Sequence, residues 1–297
     1  MKRLAVAALA VGVVIAPIAM PLATAHAAMA AARASRVGIV VVAGQSNAEG
    51  YESYAAGTGF GLATADRTVR LVDWGDYSTS HDSSAVALDT PQVLAVNGRQ
   101  VFGPEVGIAR YLWSHGHQDI AIAKVTKAGS ALAAWRTGGQ LLTELGYAVS
   151  RLKSWEKARG VTATVVGIVW MQGETDSLSA TTATPYRAAL ASFLPRLRDA
   201  VHASSRTPIV LAETTIAPWV AFQDSISHDR CSPAPCASLL AWNRLVRDGQ
   251  RAATKSVGRT FVVDSATYPR ASIQIHLNAR GELDLGKALG KALARRL

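Results

Sequence analysis

Two kinds of hydrophobic run alternate along this chain. Short stretches rich in Val and Ile, with few charges, lie at Val37–Ala43, Thr68–Trp74, Asp119–Val125, Thr164–Met171, Pro208–Glu213 and Thr260–Asp264. That composition is expected of strands buried on both faces. Longer amphipathic stretches separate them, and they predict helices at Pro104–His115, Gln140–Arg159, Pro185–Ala203, Ala237–Lys255 and Ala279–Arg296. In the last, Leu285, Leu289 and Leu293 recur every four residues. Lys291, Arg295 and Arg296 fall where the negative end of the helix dipole would be. Pro104 and Pro185 sit near helix starts, where proline is tolerated.

Strand and helix in alternation predict a parallel sheet covered by helices, a three-layer α/β domain. Ligands in such folds bind beyond the carboxyl ends of the strands. Ser46 follows the first predicted strand and Gln172-Gly173-Glu174 the fourth, so the two segments are expected at one edge of the sheet. No internal repeat and no low-complexity linker divides the chain, which predicts one domain over residues 36–297. The stretch from Gly75 to Phe102 shows little pattern, and both a substrate loop and a decorated surface loop are open for it.

The beginning of the chain reads differently. Met1-Lys2-Arg3 is basic, Leu4 to Met20 is almost wholly apolar, and Ala25-His26-Ala27 is a small-x-small cleavage site. This is the pattern of a secretory signal peptide over residues 1–27, and its removal would leave 270 of the 297 residues. Pro17 and Pro21 interrupt the run, which argues against a membrane anchor. Residues 28–35 are Ala-rich and read as a flexible lead-in. The expectation is a secreted protein with no stable membrane span after cleavage.

The formal charge is +10, falling to +8 without Lys2 and Arg3. The basic residues are scattered, with only Arg295-Arg296 clustered, so neither a basic stripe nor a motif for nucleic acid is present. Two cysteines, Cys231 and Cys236, are separated by four residues. In an exported protein they are expected to form a disulfide closing a small loop. His228 and Asp229 lie beside them, but two thiolates without a second pair make a poor metal site.

The apolar run Val40-Val41-Val42-Ala43 ends abruptly in Gly44-Gln45-Ser46-Asn47. A serine presented on a turn after a buried strand is a candidate nucleophile, close to the Gly-x-Ser-x-Gly elbow without matching it. It needs a base and donors for an oxyanion. Among the histidines, His276 stands out because it follows the last strand and precedes the final helix. Gln172, Glu174 and Asp176 end the fourth strand: an amide able to donate to an oxyanion, and two carboxylates able to orient a histidinium. For Asp176 a helix cap is an equal alternative. Gly103, before a helix opened by Pro104, offers a free N–H to an anion.

Taken together, Gly44-Gln45-Ser46-Asn47, Phe102-Gly103-Pro104-Glu105, Trp170 through Asp176 and His276 through Gly281 resemble the motif set of the SGNH hydrolases. More narrowly they are similar to the sialate O-acetylesterase and acetylxylan esterase group, carbohydrate esterase family 6. The segment Lys124 to Ser130 with Trp135 carries a further resemblance. The resemblance implies a flavodoxin-like α/β/α domain that removes acetyl groups from carbohydrate hydroxyls, with no metal or organic cofactor. It implies Ser46 as nucleophile and His276 as general base. The backbone N–H groups of Ser46 and Gly103, with the Gln172 side chain in place of the usual Asn, would form the oxyanion hole.

SGNH enzymes commonly carry Asp three residues before the histidine, and here that residue is Ile273. The expected substitute is Glu174, with a backbone carbonyl, Asp176 or Asp264 as alternatives. The expected function is a secreted serine esterase for O-acetylated carbohydrates such as xylan or sialic-acid-type glycans. Two alternatives stand beside it: a weakly active or non-catalytic carbohydrate-binding protein on the same scaffold, and an esterase for non-sugar esters. Trp74, Trp135 and Trp219 are candidates for stacking on a sugar ring, against the ordinary alternative of a core position.

Overall fold

The computed structural model describes residues 36–54, 64–74, 86–87, 95–96, 99–227 and 231–297. The expected signal peptide and lead-in, residues 1–35, lie outside the described residues, as do His81, His228, Asp229 and much of the segment from 75 to 102.

Six parallel strands form the centre of the molecule: β1 (Arg36–Gly44), β2 (Arg70–Trp74), β6 (Ile120–Thr126), β7 (Thr162–Met171), β8 (Ile209–Glu213) and β9 (Thr260–Asp264). The short strand β3 (Val86–Ala87) pairs antiparallel with β2 at one edge, giving the order β3-β2-β6-β1-β7-β8-β9. A separate two-stranded ribbon joins β4 (Ala95–Val96) to β5 (Arg99–Gln100). All six predicted strands are present.

The helices are α1 (Ser46–Glu49), α2 (Thr64–Thr68), α3 (Glu105–Ser114), α4 (Gln140–Ala158), α5 (Ala180–Ala183), α6 (Tyr186–Ala200), α7 (Ala217–Ser227), α8 (Cys236–Ser256) and α9 (Ala279–Ala294). The five predicted helices correspond to α3, α4, α6, α8 and α9. The sequence reading missed α7, which is short, carries Pro218 in its first turn and buries only Val220. One buried position makes no stripe, so its pattern carries no helical period to read.

Side chains of β1 alternate between two cores, as the strand period of two requires. Ile39, Val41 and Ala43 pack with Leu145, Val149 and Leu152 of α4 and with Leu190, Leu194 and Leu197 of α6. Val40 and Val42 face the opposite way, onto Ile108 and Leu112 of α3 and Leu285, Leu289 and Leu293 of α9. The four-residue leucine spacing thus becomes a wholly buried stripe on α9. Each such leucine contributes roughly 1.5–3 kcal/mol.

Register brings the strand ends level. Gly44 at the end of β1 lies opposite Thr126 of β6 on one side and Met171 of β7 on the other. The residues that follow these three strands therefore emerge at one edge. Gly44 has φ of 151°, and a Cβ there would lie 1.9 Å from the Met171 carbonyl oxygen. Only glycine lets the chain turn there into α1.

A charge cluster lies beneath that edge. Lys124, midway along β6 and fully buried, pairs with Glu105 at 3.1 Å and Asp73 at 3.4 Å. It also donates to the Glu49 carbonyl at 3.1 Å, which ties the end of α1 to the sheet. Burial alone would depress the ammonium, but the charges of Asp73 and Glu105 outweigh it and hold the group above its ordinary value.

Candidate active site

Ser46 is the first residue of α1, so its N–H has no partner within the helix. Its Oγ lies 3.1 Å from Nε2 of His276, and Nδ1 of the same ring lies 2.8 Å from Oε2 of Glu52. An ionised carboxylate only accepts, so it holds the proton on Nδ1 and leaves Nε2 to accept from the serine hydroxyl. A hydroxyl, an imidazole and a carboxylate in line can move a proton off the serine and stabilise the charge left on the ring.

Glu52 is supplied by the turn after α1. Gly50 and Tyr51 donate their N–H groups to the Ser46 carbonyl, at 3.0 and 2.9 Å. Glu52 then adopts a left-handed backbone with φ of 67°. Ser53 fixes the turn: its hydroxyl binds the carbonyls of Gly50 and Phe102 and accepts from the Phe102 N–H. Tyr51 packs its ring on His276, with centroids 4.7 Å apart.

The expected acids lie elsewhere. Glu174 accepts from the Asn47 side chain at 2.7 Å through Oε1, and its buried Oε2 has no hydrogen-bond partner among the described residues. Asp176 accepts from the Leu132 N–H and from Gln172. Burial raises the Asp176 carboxyl, and the Gln172 hydrogen bond works against that rise. The acid that meets His276 is Glu52, which sequence reasoning missed. The available signal was a carboxylate in the turn immediately after the serine helix.

Of the three expected oxyanion donors, Gly103 and Gln172 are engaged elsewhere. The Gly103 N–H donates to Glu105 at 2.9 Å, and a Cβ on Gly103 would lie 2.4 Å from the Ala48 carbonyl oxygen. This glycine lets two backbones touch behind α1. Gln172 is fully buried, its Nε2 donating to Asp176 and to the Ser130 carbonyl and its Oε1 accepting from Tyr186. The loop after β6 instead brings Gly129 beside Ser46. The Gly129 N–H has no acceptor among the described residues.

The Gly44-Gln45-Ser46-Asn47 motif joins three loops. Gln45 Oε1 accepts from the N–H groups of Gly173 and Thr175 in the loop after β7. Asn47 accepts from the Leu277 N–H at 2.9 Å and donates to the Ile275 carbonyl at 3.3 Å, holding both neighbours of His276. The loop is fastened again by Arg270, which donates to the Ile275 and Ser265 carbonyls.

Ser46 and His276 open on a cavity of about 510 Å³ whose walls include Tyr51, Leu178, Trp219, Ile273 and Ile275. Ile273 therefore forms rim where the SGNH pattern has its acid. Leu178, Trp219 and Ile275 pack against a small core made by Ile216, Val220, Leu239 and Cys236. Cys231 and Cys236 are joined in a disulfide, which ties the segment after α7 to the start of α8. Of the three tryptophans singled out, Trp219 lines the cavity. Trp135 is wholly buried against Trp170, and Trp74 stacks on Tyr147.

A parallel sheet flanked by helices, with serine, histidine and carboxylate meeting at its carboxyl edge, defines a hydrolase of the α/β/α class. The sequence matches the model of the family described as carbohydrate esterase, sialic acid-specific acetylesterase, over residues 36–295, and the chain belongs to that family. It is a carboxylic ester hydrolase.

Solved structures share the fold. A protein from Arabidopsis thaliana is 17% identical, with a TM-score of 0.62 over 88% of this chain and 98% of that one. XAC1771, a carbohydrate acetylesterase from Xanthomonas citri, is 19% identical, with a TM-score of 0.59 over 87% of this chain and 56% of that one. NanS is 16% identical, with a TM-score of 0.56 over 88% of this chain and 97% of that one. Among curated proteins none matches the sequence.

Proposed function

We propose that this protein is a secreted serine esterase that removes O-acetyl groups from carbohydrates through an acyl-enzyme. The observation that carries the reading is the contact of Ser46 Oγ with His276 Nε2, backed by Glu52 on the other ring nitrogen. In this reading the Ser46 oxygen attacks the acetyl carbonyl while His276 takes its proton. The tetrahedral intermediate collapses, the sugar oxygen takes that proton from His276, and acetate remains esterified to Ser46. Water then attacks with His276 again as base, His276 returns that proton to the Ser46 oxygen as the ester bond breaks, and free acetate leaves. Glu52 holds the ring tautomer and stabilises the imidazolium in both halves. In this reading the N–H groups of Ser46 and Gly129, two residues of the cavity wall, donate to the oxyanion.

An acetylated sugar as substrate is supported by the family to which the chain belongs and by Trp219, an aromatic side chain in the cavity wall. Export is supported by the amino-terminal sequence pattern and by the Cys231–Cys236 disulfide. The reading as a non-catalytic binder rested on the missing Asp, and the Glu52 carboxylate beside His276 speaks for the catalytic reading instead. Acetate release from a panel of acetylated xylan and sialic-acid glycans, with Ser46→Ala as control, tests the reading. Turnover that needs Ser46 is expected. Glycan binding without acetate release would contradict it.

A further inference from the structure

Gln45 precedes the nucleophile and lines the cavity with Ser46, Gly129 and His276, yet it is only 3% exposed. Its amide orientation is fixed by its neighbours. The atom facing the N–H groups of Gly173 and Thr175, at 3.2 and 3.4 Å, must be the oxygen, because a backbone N–H only donates. Gln172 Nε2 approaches the same oxygen at 3.4 Å. Two backbone donors thus converge on Oε1, which turns Nε2 away from them. That nitrogen has no acceptor among the described residues, and it is not sealed from solvent as a buried orphan atom would be. An almost buried amide with its oxygen clamped and its nitrogen unpartnered therefore stands on the cavity wall next to Ser46.

Gln172 leaves a role open. Its amide has two hydrogens, and Asp176 and the Ser130 carbonyl take both. Tyr186 occupies its oxygen at 3.1 Å. With no exposed surface it has nothing to offer a substrate.

We propose that Gln45 is a catalytic residue, whose side-chain Nε2 donates a hydrogen bond to the ester carbonyl oxygen as it becomes an oxyanion. The proposal rests on the serine-esterase reading above and adds to it a side-chain donor beside the N–H groups of Ser46 and Gly129. Preorganisation by the Oε1 clamp is what makes the donor effective, because the amide needs no reorientation as charge develops.

The test is Gln45→Glu, which keeps an oxygen for Gly173 and Thr175 and replaces the donor by a second acceptor. On a small acetyl ester, kcat is expected to fall by about 10²–10³-fold, with KM within a few-fold and the melting temperature kept. Binding of a phenylboronic acid, whose tetrahedral adduct on Ser46 places an oxygen at the oxyanion position, is expected to weaken to a similar degree. A purely structural role would not move the boronate. Gln45→Met, of similar length and without charge or donor, is expected to show the same loss and serves if the carboxylate unsettles the fold. Unchanged kcat or unchanged boronate affinity in a folded variant overturns the proposal. Ser46→Ala run alongside separates the two ideas: its retention of activity sinks the esterase site itself, whereas its inactivity beside an active Gln45→Glu sinks only the role of Gln45.

Discussion

Glu52 Oε2 sits 2.8 Å from Nδ1 of His276 across 224 residues of sequence, and it comes from the turn that closes the Ser46 helix. One short segment thus carries both the hydroxyl and the acid that flank the imidazole. Glu52→Gln is expected to reduce kcat on an acetyl ester by roughly 10²–10⁴-fold, as loss of the orienting acid does in a serine triad. Glu174→Gln keeps the Oε1 that accepts from Asn47, so its effect is expected to stay within about tenfold, the scale of one weakened hydrogen bond. Steady-state kinetics of the two variants side by side decides which carboxylate serves His276. A larger loss for Glu174→Gln would reverse the assignment.

Asn47 holds Glu174, the Ile275 carbonyl and the Leu277 N–H with a single side chain. Asn47→Ala leaves buried groups of two other loops unpaired, which is expected to cost about 1–3 kcal/mol in thermal unfolding. His276 sits between the two residues that lose their anchor. A fall in kcat of roughly 10–100-fold is therefore expected even though Asn47 touches no reacting atom.

The disulfide bears on the cavity wall. Cys236 packs in the small core that supports Leu178, Trp219 and Ile275. Replacing both cysteines by alanine is expected to lower stability by about 2 kcal/mol, the loop-closure value for so short a ring. KM for an acetylated oligosaccharide should rise several-fold while kcat on a small acetyl ester is kept. Equal KM values for the two proteins would show that the staple does not shape the wall.

Glu282 predicts a pH effect. It is fully buried on α9, neither carboxyl oxygen has a hydrogen-bond partner among the described residues, and burial followed by the charge of Glu105 raises it well above its ordinary 4.5. Lys124 and Arg270 lower it but do not win, and Glu174 adds to the rise. The folded state therefore holds a proton that the unfolded chain releases above about pH 4.5. Stability from this group is complete below that pH and is lost as pH rises, with a slope of at most about 1.4 kcal/mol per unit. Glu105, also raised by burial, acts in the same direction. Glu282→Gln should flatten the fall in melting temperature between acid and mildly alkaline pH. An unchanged slope would contradict the assignment.

The six strands and five of the helices were legible because Val- and Ile-rich runs and four-residue leucine spacing report burial directly. Helix α7 was not, since Val220 alone among its residues is buried. At the site, Ser46 and His276 announced themselves by their places after strands. Glu52 did not, because its reach to His276 depends on a left-handed turn fastened by Ser53, which no periodicity encodes. Gln172 was placed in the right loop and given the wrong task. Position after a strand tells which edge a residue joins, whereas the direction of its amide is set by Asp176, Ser130 and Tyr186.

The central claim is that Ser46, deprotonated by His276, carries the acetyl group between sugar and water. Rapid quenching of the enzyme during turnover of an acetylated substrate, followed by peptide mass mapping, tests it most directly. The account predicts one added acetyl group on the peptide containing Ser46, absent from Ser46→Ala. Full turnover by Ser46→Ala, or acetyl found only on another residue, would contradict it.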